Sequence, residues 1–333
     1  MKTPTHSFVS VAFVATYFFS LLGVAVSTAA AATEPVSAAV SDASSAVPTS
    51  YRFKVGAFAC WILYDSQGDY SPASFFVNAA PTELEPALRQ HGGTKGKIST
   101  PYAGLLVKTP TNTILIDTGA GPSANGKAPH LQANLAAVGV TPDQIDTVLL
   151  THAHLDHIGG TILADGSPAF PRARFVMFRP EWDFWTGEHP DLSTLAVSDG
   201  ARKQFVDIAR KQLLPLRDRM ELIDHDMEVR PGIHVVLAAG HTPGHMVVKL
   251  ASEGEQLLYV ADLVLSPIAL EHPEWHTRYE LDVAQSQAAK LRTLAMAADE
   301  NMLVYAMHFP WPGLGHVRPA GDHWTWQPVV GAP

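Results

Sequence analysis

The run Thr151-His152-Ala153-His154-Leu155-Asp156-His157-Ile158-Gly159-Gly160 constrains this chain more than any other stretch. It gathers three imidazoles and a carboxylate within six residues. The apolar Val148-Leu149-Leu150 before it reads as a buried strand, and the two glycines after it are expected to let the loop turn tightly. Neutral imidazole nitrogen and carboxylate oxygen are standard ligands for zinc and similar divalent ions. His152 and His154 stand two apart and His157 follows Asp156, so one loop can present donors in two directions. That pattern suits a pair of neighbouring ions rather than one.

The 333 residues are ample for a large core. An apolar segment from Phe8 to Val26, preceded by Lys2 and followed by Ala29-Ala30-Ala31-Ala32, reads as a signal peptide over residues 1–32. The protein is therefore expected to be exported, to a bacterial periplasm, with a retained N-terminal membrane anchor as the alternative. Residues 33–50, rich in Ala, Ser, Pro and Thr, read as a flexible leader, and 51–333 as a single catalytic domain. The one cysteine, Cys60, cannot form an intramolecular disulfide. The net charge of −9, with scattered Lys and Arg, argues against nucleic acid as a partner.

Along the chain, Tyr51 to Tyr64 reads as one or two strands, Asp65 to Pro72 as a polar turn, and Pro81 to Gln90 as a short helix. Tyr102 to Val107 and Thr113 to Ile116 read as a hairpin, His130 to Val138 and Asp199 to Leu214 as helices, and Phe170 to Phe178 as a strand. Asp117, at the end of the hairpin, is expected to accept local backbone N–H bonds. The second half repeats the strand-then-donor arrangement. Ile233 to Ala238 leads into Gly240-His241-Thr242-Pro243-Gly244-His245, Gln256 to Ala261 into Asp262, and Met302 to Met307 into His308, with a long helix over Leu281 to Ala298. Donors at strand ends are what a layered α/β protein offers.

One coherent assignment gives His152, His154 and His241 to a first metal and Asp156, His157 and His308 to a second, with Asp262 bridging. His245 competes with His241, and pairing alone does not separate them. Two divalent ions, zinc first with Mn2+, Co2+ or Fe2+ as alternatives, would leave such a site net positive after two carboxylates and a hydroxide. That charge suits hydrolysis, with a metal-bridging hydroxide attacking the substrate and Asp156 and Asp262 as the catalytic carboxylates. A di-iron redox protein is the reading from another class. Trp182, Trp185, Phe309 and Trp311 are candidates to wall a pocket for a neutral small molecule with apolar or aryl groups. If some of these aromatics instead cover an interface, a homodimer is expected.

Taken together, Thr151-His152-Ala153-His154-Leu155-Asp156-His157, Gly240-His241-Thr242-Pro243-Gly244-His245, Asp262 and His308 resemble the metallo-β-lactamase superfamily from Tyr51 to Trp326. The resemblance implies an α/β fold, an αββα sandwich of two mixed sheets flanked by helices, with a two-metal site at one edge. It also implies the ligand set above, with His241 on the metal and His245 behind it, orienting His241 or its loop. Within the superfamily, the leader and His308-Phe309-Pro310-Trp311-Pro312-Gly313 resemble the exported methyl parathion hydrolase group and its lactonase relatives. The activity implied is hydrolysis of a neutral aryl phosphotriester (organophosphate) together with lactones and aryl esters. The alternative is a quorum-signal-type lactonase or arylesterase whose phosphotriesterase activity is incidental.

Overall fold

Strands in this chain are apolar on both faces, and that decides the architecture. In the run Leu105-Leu106-Val107, the outer two side chains enter one buried cluster and the middle one another; Leu257-Leu258-Tyr259 divides in the same way. Side chains alternate across a strand, so a sheet with two apolar faces must be covered twice. The computed structural model describes residues 49–91, 96–123 and 129–329. The expected signal peptide, and the leader up to residue 48, lie outside the described residues.

Two sheets follow, each of seven strands among the described residues and each in simple chain order. The first holds β1 (Ser50–Val55), β2 (Phe58–Tyr70), β3 (Ile98–Lys108), β4 (Thr113–Ile116), β5 (Thr147–Leu149), β6 (Arg174–Phe178) and β7 (Met220–Ile223). Strands β1 to β4 pair antiparallel, and β4 to β7 parallel. The second holds β8 (Met227–Arg230), β9 (Ile233–Leu237), β10 (Met246–Ser252), β11 (Glu255–Tyr259), β12 (Leu303–Tyr305), β13 (Leu314–Ala320) and β14 (His323–Pro328). It is antiparallel except where β11 meets β12.

The inner faces meet in one apolar layer that includes Ile62, Leu105 and Ile114 from one sheet and Val235, Val248 and Tyr259 from the other. The outer face of the first sheet is covered by helices α1 (Leu131–Ala137), α2 (Arg179–Thr186) and α3 (Asp199–Leu213). The outer face of the second is covered by α4 (Val283–Asp299), whose N-cap Asp282 accepts from Gln285 N–H. This is the expected αββα sandwich.

Three local readings change. The stretch Asp65–Tyr70 is not a turn. After an irregularity between Tyr64 and Ser66 it continues β2, pairing Ser66 with Tyr102, Gly68 with Thr100 and Tyr70 with Ile98. Polar content hid the strand, because its value lies in the partner strand rather than in its own pattern. Likewise the Pro and Gly content of Phe309 to Val317 predicts a loop, yet the chain enters β13 at Leu314, and β13 pairs with β14 as a hairpin. Finally, Trp182 and Trp185 sit on α2, whose inward side packs them into the cluster outside the first sheet.

Cys60 is buried on β2, and burial pushes its thiol up to about 12. The folded protein is therefore expected to resist alkylation at about pH 8 and to react once denatured. A thiol titration with and without denaturant checks this, and equal rates would contradict it.

Candidate metal centre and its cavity

Each donor sits just past the end of a strand. His152 and His154 follow β5, and Asp156 and His157 lie on the single turn Leu155–Ile158. His241 lies between β9 and β10, Asp262 in the turn after β11, and His308 after β12. The glycines after the first cluster act by closeness rather than by a left-handed turn. A Cβ on Gly159 would lie 2.1 Å from the Ala120 carbonyl oxygen, and one on Gly160 would lie 2.2 Å from that of Thr118. A side chain at either position would therefore lift the donor turn off the loop beneath it.

The donors converge as two groups: His152, His154, His241 and Asp262, and Asp156, His157 and His308. In the first, Nδ1 of His154 lies 3.1 Å from Nε2 of His152 and 3.0 Å from Nε2 of His241. Neutral imidazoles cannot all hydrogen-bond when their nitrogens meet like this, whereas a cation can accept every lone pair. Asp262 spans both groups. Its Oδ1 lies 2.8 Å from Nε2 of His157 and 2.9 Å from Nε2 of His308, while Oδ2 lies 3.3 Å from Nε2 of His241. Asp156 Oδ2 stands 3.5 Å from Nε2 of His308 and 3.8 Å from that of His157. The donor set therefore fits two divalent ions.

Electrostatics match this division. Burial, then the neighbouring imidazoles, holds His152 and His154 well below the usual histidine range. Burial also pulls on His157, but Asp262, Asp117 and Asp156 outweigh it and hold that ring well above the range. Burial would raise the Asp262 carboxyl, yet His157, His308 and His152 hold it well below the carboxylate range. The charges are mutually compensated, as buried ionisable groups require.

The supporting shell was only partly legible. Asp117 has φ 58° and is fully enclosed. It accepts from Thr151 N–H at 2.8 Å, the Thr151 hydroxyl at 2.8 Å, His157 Nδ1 at 2.8 Å and the Tyr259 hydroxyl at 2.7 Å. The bond to His157 leaves Nε2 of that ring free to ligate. The expected acceptance of a backbone N–H is present, and the hold on His157 is additional. Glu280 Oε2 lies 3.3 Å from Nδ1 of His241, a charged neighbour on the side of that ring away from Asp262. No spacing in the sequence links Glu280 to His241. His245 has both ring nitrogens engaged, Nδ1 with the Ala238 carbonyl at 3.2 Å and Nε2 accepting from Asp262 N–H at 3.2 Å. It thus holds the backbone of Asp262 as well as its own loop.

Glu181 is another supporting residue that sequence reasoning missed. Its buried carboxylate accepts from Ala153 N–H at 2.8 Å, Gly244 N–H at 2.8 Å and Trp185 Nε1 at 2.7 Å, which ties together the two histidine loops. Glu181→Ala would strand three donors, so a loss of about 3 kcal/mol or more is expected. A urea midpoint within error of the parent protein would contradict this role.

A cavity of about 200 Å³ opens over the donors, with Asp156, Asp262 and His308 in its floor. Phe75, Phe205, Ile208 and Leu265 supply apolar wall, and Tyr70, Tyr102 and Tyr279 supply phenols. None of the four expected aromatics lines it. Trp182 and Trp185 are buried in the core outside the first sheet, with Trp185 edge-on to His154 at 5.7 Å between ring centroids. Phe309 is buried against Trp326, and Trp311 packs on the inner layer beside Tyr64. These rings pack into the apolar clusters rather than onto the cavity. The true wall comes from segments distant in sequence.

Comparison with known proteins agrees with this geometry. The family profile described as Metallo-beta-lactamase superfamily matches residues 101–328. An N-acyl homoserine lactonase of Bacillus thuringiensis is 24% identical over 199 residues, covering 54% of this chain and 70% of that protein. The solved structure of AidC, described as a dizinc quorum-quenching lactonase in complex with a product, superposes with a TM-score of 0.81 at 28% identity, covering 86% of this chain and 99% of the other. A structure described as hydrolase AbOPH in the beta lactamase superfamily gives a TM-score of 0.78 at 27% identity, covering 86% and 100%. With its sandwich, its seven donors and this profile match, the chain belongs to the metallo-β-lactamase superfamily, among its metal-dependent hydrolases.

Proposed function

We propose that the protein is a dizinc lactonase acting on neutral acylated lactones, with His152, His154 and His241 holding one ion, Asp156, His157 and His308 the other, and Asp262 shared. The carrying observation is the lining of the cavity over the donors: apolar side chains and phenols, with no lysine or arginine among the described residues that line it. A substrate that carries its own carboxylate would find no partner in such a wall, whereas a neutral ester or amide finds both apolar contact and hydrogen-bond donors. The likeness to lactonases supports the same choice.

Two zinc ions bound there would supply Lewis acidity to the ester carbonyl and lower the pKa of water at the site. The chain's own part is to orient and to enclose. Asp117 fixes which nitrogen His157 presents, Glu280 sets a negative charge beside Nδ1 of His241, and Asp156, at the cavity floor, is placed to hold the proton of the attacking water. Phe205 and Ile208 exclude bulk water from one side. A neutral aryl phosphotriester would meet the same floor and the same aromatic wall, and it is the likeness to lactonases that ranks the lactone first.

Initial rates of the zinc-loaded protein on an acyl homoserine lactone, an aryl ester and an aryl phosphotriester test this proposal. We expect kcat/KM for the lactone to exceed that for the phosphotriester by about 10²-fold. The reverse order would make phosphotriester hydrolysis the leading activity. Two bound irons without hydrolysis would overturn the reading in favour of redox chemistry.

A further inference from the structure

We infer that the Tyr70–Tyr102 phenol pair is a catalytic unit that donates a hydrogen bond to the leaving oxygen of the substrate, so that the enzyme favours poor, alkoxide-type leaving groups. The inference rests on the lactonase reading above and adds to it a residue pair from the first sheet.

The pair arises from the unexpected length of β2. Tyr102 on β3 stands opposite Ser66, with Gly68 and then Tyr70 further along the neighbouring strand. Diagonal neighbours across a sheet are within reach of an aromatic side chain. Tyr102 takes that route because Gly68 is bare. A Cβ there would lie 2.0 Å from the Tyr102 hydroxyl oxygen and 2.6 Å from Cε2 of Tyr70. The two hydroxyls meet in a short hydrogen bond inside the cavity.

Proton counting gives the pair its function. Two phenols bring two O–H groups, and the bond between them uses one. Neither hydroxyl has a further hydrogen-bond partner among the described residues, so one O–H remains for whatever occupies the cavity. Beside it Thr100, opposite Gly68 and on the same cavity wall, has a buried hydroxyl oxygen that also lacks a partner. Buried polar atoms left open on the wall of a cavity point to a polar occupant. The pair is also fixed relative to the metal donors. The Tyr102 ring packs edge-on to His308 at 5.9 Å between centroids, and Tyr70 packs edge-on to Tyr279 at 6.4 Å.

In the step proposed, the oxygen of the attacking water bonds to the acyl carbon and the acyl C–O bond breaks, its electron pair settling on the leaving oxygen. The phenol O–H stabilises that developing alkoxide, and the water's proton completes the alcohol. An aryloxide leaving group, already a weak base, gains little from the donor, whereas a lactone's alkoxide gains much.

The test uses Tyr102→Phe, Tyr70→Phe and Gly68→Ala in the full-length, zinc-loaded protein. An acyl homoserine lactone is compared with the 4-nitrophenyl ester of the same acyl chain, and zinc content and Tm are measured on each sample. For Tyr102→Phe we expect kcat on the lactone to fall about 10²-fold while KM and the nitrophenyl ester rate stay within about 3-fold. Gly68→Ala keeps both phenols but displaces the Tyr102 hydroxyl, and should give the same selective loss. Equal losses on both substrates, or an unchanged lactone rate, in any variant with wild-type zinc content would overturn the inference. Wild-type protein that hydrolyses the nitrophenyl ester but no lactone would overturn the lactonase reading instead, and the inference with it.

Discussion

Asp262→Ala is expected to leave fewer than two zinc ions per chain and to lower hydrolysis by on the order of 10³-fold, the largest effect of any single substitution. Each carboxylate oxygen of Asp262 faces a different donor group, with Oδ1 toward His157 and His308 and Oδ2 toward His241 and His152. No other donor among the described residues stands between the groups in this way. Its removal therefore takes one ligand from each ion and also the negative charge that lets four imidazoles lie so close. Metal analysis by mass spectrometry and rates on the same sample check the expectation. Two retained ions with undiminished turnover would remove Asp262 from the centre of the site.

Asp117→Asn is expected to be nearly as damaging although Asp117 does not line the cavity. The change preserves shape but not polarity. Asp117 Oδ2 accepts from the Thr151 hydroxyl, the Tyr259 hydroxyl and His157 Nδ1, while Oδ1 accepts from Thr151 N–H. Whichever way the amide lies, its NH2 group faces a donor. At least one buried donor then goes unpaired, and the bond that fixes the His157 tautomer is either lost or reduced to one with a neutral amide oxygen. A cost of about 3–5 kcal/mol in the stability of the metal-free protein is expected from breaking this buried charge arrangement. Zinc affinity should weaken about 10–100-fold through loss of the orienting bond. Denaturant titration of the chelated protein and competition with a zinc indicator measure the two separately. Unchanged zinc affinity would show that His157 is held by its other neighbours.

What the sequence disclosed depended on how contiguous each signal is. The cluster from His152 to His157 is written in one loop, and the later donors repeat its strand-then-donor form, so all seven were legible. The sandwich was also legible, because strands with two apolar faces have few ways to be covered. The supporting carboxylates were harder to see. Glu181 reaches the backbone of two histidine-bearing loops and Glu280 lies beside His241, all far away in the chain, and each lies in a segment whose local pattern suggests only a helix or a loop. The cavity wall was misread for a related reason. Trp182, Trp185 and Phe309 gain more by burial in the cores than by facing a cavity, and Trp311 packs half-buried against the inner layer. Tyr70 and Tyr102 were invisible because the strand that pairs them, Asp65–Tyr70, has the composition of a turn.

The chain order of the sheets carries a consequence for how the molecule comes apart. The first sheet draws on residues 50–223 and the second on 227–328, so each closes on its own stretch of chain. His152, His154, Asp156 and His157 belong to the first stretch, and His241, Asp262 and His308 to the second. The metal centre therefore rivets two separately woven halves along one edge of their shared seam. Stripping the ions should loosen one half against the other before either unravels. Amide hydrogen exchange would then quicken first in the loops that meet across the seam, while the middle strands of both sheets stay protected.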